Sequence, residues 1–81
     1  METTYTFCSI MEGDKPVKCS SFEEAFTAMF KWVTDKINSN DLALQVLETA
    51  IWIEINGLPL YFYDARDRAI KMGILKDGKL V

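Results

Sequence analysis

The sequence predicts an α+β fold, in which two hairpin–helix (ββα) units form a mainly antiparallel four-stranded sheet with the helices packed on one face. Three observations predict it: an Asn56-Gly57 turn between two alternating apolar runs, a turn cluster at 12–16 between two strand-like runs, and a helical apolar pattern from Phe22. A sheet with one apolar face is covered by helices in such folds. At 81 residues, we expect a single domain spanning 1–81.

The first hairpin is expected from the strand-prone run 3–11 and the residues that follow Pro16. Gly13-Asp14 suits a two-residue turn between them. That turn would set these opposed pairs: Cys8 with Cys19, Ile10 with Val17, and Glu12 with Lys15.

Cys8 and Cys19 are the two cysteines of the chain. Facing one another across a hairpin, they could form a disulfide. In a chain expected in the cytoplasm, they are more simply interpreted as two free, buried thiols on the face of Ile10 and Val17.

A helix is predicted to begin after Ser20-Ser21, because each serine is followed three residues later by a glutamate, as in a capping box. Glu23 and Glu24 also favour the positive end of the helix dipole. From Phe22 onward the apolar residues share one arc, which predicts a core-facing helix of about 16 residues. The Asn-Ser-Asn run at 38–40 ends it.

The segment 41–48 is ambiguous, because its leucines and Val46 fit either a short helix or a strand. Its alanine, glutamine and leucine content favours the helix.

The second hairpin is the clearest element. Asn56-Gly57 accepts the positive φ angles of a type I′ turn and thereby fixes the register of its strands. Because side chains alternate along a strand, one face is predicted to be aliphatic and the other aromatic. The aliphatic set is Ile51, Ile53, Ile55, Leu58, Leu60 and Phe62, and the opposite set is Ala50, Trp52, Glu54, Pro59, Tyr61 and Tyr63.

A second helix is predicted over 65–72, with Asp64 as its N-cap and Gly73 ending it in a left-handed conformation. A last short hairpin is expected around Asp77-Gly78.

Composition limits the function. The net charge of −3 and the pI near 4.8 disfavour general nucleic-acid binding. No apolar run reaches the roughly 20 residues of a membrane span, and the first residues lack a signal-peptide pattern. We therefore expect a cytoplasmic protein that does not enter a membrane. Residues 64–81 carry five basic against three acidic side chains, an asymmetry that could orient a partner or a second copy.

Catalysis is not expected. The chain has no histidine and no phosphate-binding, serine-hydrolase or zinc-protease motif. Two cysteines are too few for a zinc site within one chain, and acid pairs such as Glu23/Glu24 are explained by helix-start electrostatics. We expect no cofactor and no metal.

The aromatic side of the second hairpin is the candidate contact surface. We expect Trp52, Tyr61 and Tyr63, beside Arg66 and Arg68, to bind a protein partner or another copy of the chain, unless another segment covers them. The protein would then be a non-enzymatic interaction module, by analogy of size and charge a small acidic inhibitor or regulator of the kind found in phages and mobile elements.

The alternative function is single-stranded nucleic-acid binding. Bases would stack on the aromatic residues Trp52, Tyr61 and Tyr63, while basic side chains such as Arg66, Arg68 and Lys71 would contact phosphates. The net acidity of the chain counts against it.

Overall fold

The computed structural model describes residues 3–10, 15–38 and 50–81. The predicted Gly13-Asp14 turn, the Glu12–Lys15 pair and the segment 41–48 lie wholly or partly outside these ranges. The described elements in chain order are β1 (Tyr5–Ser9), β2 (Val17–Cys19), α1 (Phe22–Asn38), β3 (Ile51–Ile55), β4 (Leu58–Tyr61), α2 (Phe62–Lys71), β5 (Leu75–Lys76) and β6 (Lys79–Leu80).

The first four strands form one antiparallel sheet in the order β2-β1-β3-β4, and β5 pairs with β6 in a separate hairpin. Helices α1 and α2 pack against the sheet and against each other, so the predicted α+β class is confirmed. Within the described ranges, no helix is both long enough and apolar enough to cross a lipid bilayer.

The hydrophobic core lies between the helices and one face of the sheet. Ile51 and Ile53 of β3 and Phe26 and Met29 of α1 are the largest side chains that are fully buried. Phe7 of β1 joins them, and its ring meets the Trp32 ring of α1 edge-on at 6.5 Å between centroids. Both helices therefore cover the same face of the sheet.

The start of α1 confirms the predicted capping. The Ser21 hydroxyl accepts the backbone N–H of Glu24 at 3.1 Å. The Glu24 carboxylate accepts the backbone N–H of Ser20 at 3.2 Å and also its hydroxyl. These hydrogen bonds, first that from the Ser20 hydroxyl and then that from its N–H, hold the pKa of Glu24 below its usual value.

The β3–β4 hairpin forms in the predicted register, with Trp52 opposite Tyr61 and Ile53 opposite Leu60. Asn56 and Gly57 have φ angles of 52° and 86°, as a type I′ turn requires. The turn is also tied to the chain before β1, because the Thr4 N–H donates to Asn56 Oδ1 at 2.9 Å and the Asn56 N–H donates to the Thr4 carbonyl at 3.0 Å.

The predicted register of the first hairpin is wrong. Cys19 lies opposite Tyr5, and Val17 lies opposite Phe7 rather than Ile10. The difference is an odd number of residues, so it turns the side chains of β1 to the opposite face relative to β2. The observed register buries the large ring of Phe7 in the core and leaves Ile10 62% exposed.

Consequently Cys8 and Cys19 are not neighbours across the hairpin. They lie on opposite faces of the sheet and both are free thiols. Cys8 is buried and Cys19 is half-buried, so the expectation that the two share one face is wrong.

The predicted start of the second helix is also wrong. Strand β4 ends at Tyr61, which is the N-cap residue of α2 but makes no side-chain capping hydrogen bond. Phe62 and Tyr63 are therefore helical, and Asp64 lies in the first turn rather than at the cap. The helix begins early because its first residue, Phe62, enters the core together with Ala65 and Ala69.

The end of α2 is as predicted. Gly73 has a φ of 77°, its N–H donates to the Ile70 carbonyl at 3.1 Å, and the Ile74 N–H donates to the Ala69 carbonyl at 2.9 Å. This is a Schellman motif. The hairpin β5–β6 then follows around Asp77-Gly78, as expected, and buries Leu75 against the core.

Candidate functional site

The strand registers place seven side chains on the sheet face opposite the helices, which we call the aromatic face. Thr6 lies opposite both Lys18 and Glu54, Cys8 lies opposite Trp52, and cross-strand partners share a face. The pairs in the second hairpin complete the set. The aromatic face consists of Thr6, Cys8, Lys18, Trp52, Glu54, Pro59 and Tyr61.

An aromatic pair lies at the centre of the β3–β4 half of this face. The rings of Trp52 and Tyr61 are tilted by 56°, with their centroids 6.1 Å apart. Tyr61 is 39% exposed and Trp52 is half-buried. The indole N–H of Trp52 donates a long hydrogen bond of 3.5 Å to a carboxylate oxygen of Glu54, which orients both side chains on the same face.

The electrostatics of the two thiols agree with this division of the sheet. Burial raises the pKa of Cys8, and the negative charge of Glu54 raises it further. Burial likewise raises the pKa of Cys19, but there the additional negative charge is Glu24 of α1. Cys8 therefore belongs to the aromatic face and Cys19 to the helical side. A raised pKa disfavours the thiolate, which is the nucleophilic form of cysteine.

The five residues predicted as a contact site are distributed over three contacts. Trp52 and Tyr61 pair on the sheet, as expected. The guanidinium of Arg66 lies 5.1 Å from the centre of the Tyr63 ring, so these two residues meet on the surface of α2. The guanidinium of Arg68 lies 4.8 Å from the centre of the Phe22 ring and thus covers the start of α1.

Tyr63 was expected to extend the aromatic row of β4, but the early start of α2 moves it into the helix. Its ring packs on the ring of Phe62 at 5.6 Å between centroids, and it remains 38% exposed. The aromatic face is therefore smaller than the sequence indicated on its β4 side.

On its β1 side the aromatic face is larger than expected. Thr6, Cys8 and Lys18 were not predicted to belong to it, because the wrong hairpin register left β1 without a defined position beside β3. The alternation of Tyr5 and Phe7 with Thr6 and Cys8 could have predicted them. If β1 is aligned so that Phe7 lies on the buried face with Ile53, instead of being aligned from the turn, Thr6 and Cys8 fall on the aromatic face.

No group of three or more histidine, cysteine, aspartate or glutamate side chains that could hold a metal ion occurs among residues 3–10, 15–38 and 50–81. In the same ranges every buried polar side-chain atom has a hydrogen-bond partner.

Comparisons of the chain with protein-family models, with curated proteins and with solved structures found no match.

Proposed function

We propose that this chain is a non-enzymatic protein-interaction module that binds a protein partner through its aromatic face. The single observation that supports this most strongly is the Trp52–Tyr61 pair on the sheet face opposite both described helices. Tryptophan and tyrosine are the residue types most enriched in interface hot spots, since they bury large areas with few rotatable bonds.

The composition of the aromatic face fits this role. It combines two large rings with the compact side chains of Thr6, Cys8 and Pro59, and it carries one positive and one negative charge. Such a face can bury the apolar area of its rings in a partner, and its two opposite charges can add electrostatic specificity to the contact.

The edge of β4 supports contact through the face rather than through strand addition. Pro59 lies opposite Glu54, one position from the Ile55–Leu58 pair that closes the two-residue turn. That pair is hydrogen-bonded in such hairpins, so the nitrogen of Pro59 is turned to the outer edge, where it has no hydrogen to donate. A proline at this position blunts edge pairing.

A protein fits this surface better than single-stranded nucleic acid does. The two arginines expected to meet phosphates instead contact the rings of Tyr63 and Phe22. The aromatic face itself has one lysine, Lys18, against one glutamate, Glu54, and offers little net attraction to a polyanion.

The two free thiols, separated on opposite faces of the sheet, suit a reducing compartment such as the cytoplasm. A small acidic protein that covers a functional surface of its partner there would act as an inhibitor or regulator of that partner.

The test immobilises the wild-type chain and two variants of the aromatic face, Trp52→Ala and Tyr61→Ala. Each is incubated with a lysate of the cells that produce the chain, and the amount of each protein retained is measured. Removing a hot-spot side chain costs about 2 kcal/mol, so retention of a true partner should fall about 30-fold in each variant. Tyr63→Ala is the matched control, because Tyr63 is equally exposed but belongs to α2.

Far-UV circular dichroism and urea denaturation establish that each variant is folded. A partner retained equally by wild type, Trp52→Ala and Tyr61→Ala would refute the proposed surface. Titration of the wild type with an oligothymidylate at low salt addresses the alternative, because a saturable change in tryptophan fluorescence that is lost in Trp52→Ala would assign the face to nucleic acid.

A further inference from the structure

The aromatic face carries two opposite charges at equal distances from β1. Thr6 of β1 lies directly opposite Lys18 on one side and directly opposite Glu54 on the other. Adjacent strands are about 4.8 Å apart, so Lys18 and Glu54 flank β1 at a separation of about 10 Å. Lys18 is exposed and Glu54 is half-buried, and both side chains leave the sheet on the same side.

We propose that the partner of the aromatic face is a second copy of this chain, related to the first by a two-fold axis that runs parallel to β1 over Thr6. This inference rests on the proposed function and names its partner. A half-turn about such an axis exchanges the two sides of β1. Lys18 of each copy then faces Glu54 of the other, and the two contacts are identical, as in any isologous interface.

The charges also exclude the other in-plane orientation. An axis perpendicular to the strands would keep each side of β1 in place and would set Lys18 against Lys18 and Glu54 against Glu54. Like charges facing one another across an interface are strongly unfavourable, so the same two residues that favour one dimer penalise the other.

The packing expected of two sheets agrees with this geometry. Sheets that pack face to face keep their strand directions within about 30° of each other. A two-fold axis parallel to β1 keeps the strands of both copies aligned in this way. Trp52 of β3 lies in the next row, beside Cys8, and supplies apolar contact on either side of the axis, whereas Tyr61 of β4 lies at the rim, beyond β2 of the other copy.

The size of the face predicts a weak, reversible dimer. With the axis over β1, three strands of each copy overlap, and the usual strand spacing and residue rise give a contact of about 14 by 17 Å. Two such faces bury less than the roughly 1,000 Å² that a stable interface usually exceeds, so we expect a weak and transient association.

The experiment uses sedimentation equilibrium of the full chain and two charge reversals, Lys18→Glu and Glu54→Lys. Each variant alone places like charges at both contacts of the dimer, so its self-association should weaken at least about tenfold. In an equimolar mixture, Lys18→Glu supplies two acids and Glu54→Lys supplies two lysines. Both contacts are then attractive again, and a heterodimer of wild-type affinity is expected.

Lys31→Glu is the matched control, since Lys31 is an exposed lysine on α1, away from the aromatic face, and its reversal should leave the dimer unchanged. Trp52→Ala should abolish self-association. Circular dichroism confirms that each variant is folded.

A wild-type chain that stays monomeric up to about 1 mM, where an association of about −4 kcal/mol would already place half of the chains in dimers, would overturn the second copy as partner. A wild-type dimer with no heterodimer in the mixture would overturn the axis. The proposed function is judged separately. If the chain is monomeric but Trp52→Ala no longer captures a protein that the wild type captures, the interaction surface is supported and only the dimer is rejected. If the chain dimerises and Trp52→Ala does not weaken the dimer, the aromatic face is rejected as the interaction surface.

Discussion

Two isoleucines of the same strand and the same face provide the sharpest test of how the fold is held together. Ile53 is fully buried between Phe7 and Leu60, whereas Ile55 is half-buried and lies beside Leu58, which is 73% exposed. Replacing either isoleucine by valine removes the same methylene group. The local chemistry, the backbone conformation and the β propensity are nearly unchanged.

Ile53→Val should lower the free energy of unfolding by about 1 kcal/mol, within the range of about 0.5–1.5 kcal/mol for buried Ile→Val changes. The packed neighbours of Ile53 hold the gap open, so the lost contacts are not replaced. Ile55→Val should lower it by about half as much or less, because part of that side chain is already in contact with water.

The assay is urea denaturation followed by far-UV circular dichroism. For a small domain the urea dependence is about 1 kcal/mol per molar, so the midpoint should fall by about 1 M for Ile53→Val. The corresponding fall in Tm is about 4–8 °C. Equal shifts for the two variants, or a larger shift for Ile55→Val, would refute the argument that β3 buries Ile53 more deeply than Ile55.

Three further predictions follow from single contacts. Hydrogen bonding lowers the pKa of Glu24 in the folded chain, so the carboxylate stabilises the fold above the unfolded pKa of about 4.3, and this stabilisation is lost as pH falls through the folded pKa. Urea midpoints measured against pH should show the loss. The pH dependence should be absent in Glu24→Gln. Arg68→Ala should destabilise the fold by about 0.5–1 kcal/mol through loss of the contact with the Phe22 ring, measured by thermal unfolding, and an unchanged Tm would contradict that contact. With a disulfide reagent, Cys19 should react before Cys8, because Cys8 is 7% exposed and should react only at the rate at which the fold opens. Comparison of the two single Cys→Ser variants identifies which thiol reacts. Equal rates would contradict the burial of Cys8.

The features that the sequence determined by itself are those encoded by neighbouring residues. The Asn56-Gly57 turn fixes the register of the second hairpin, because its two positive φ angles form a two-residue turn that permits a single pairing of the flanking strands. The serine cap fixes the start of α1, and Gly73 fixes the end of α2, because each satisfies backbone groups within a few residues of itself. The segregation of Ile53 from Trp52 follows from the alternation of a strand.

The tertiary structure decided what depends on contacts distant in sequence. The register of β2 against β1 follows from the burial of Phe7 beside Ile53, and no local turn signal specifies it. The early start of α2 follows from the burial of Phe62 in the core, which outweighs the capping preference of Asp64. The row of Lys18, Thr6 and Glu54 exists because three strands that are separate in the chain meet in one sheet, where long-range packing and not local propensity sets which side chains become neighbours.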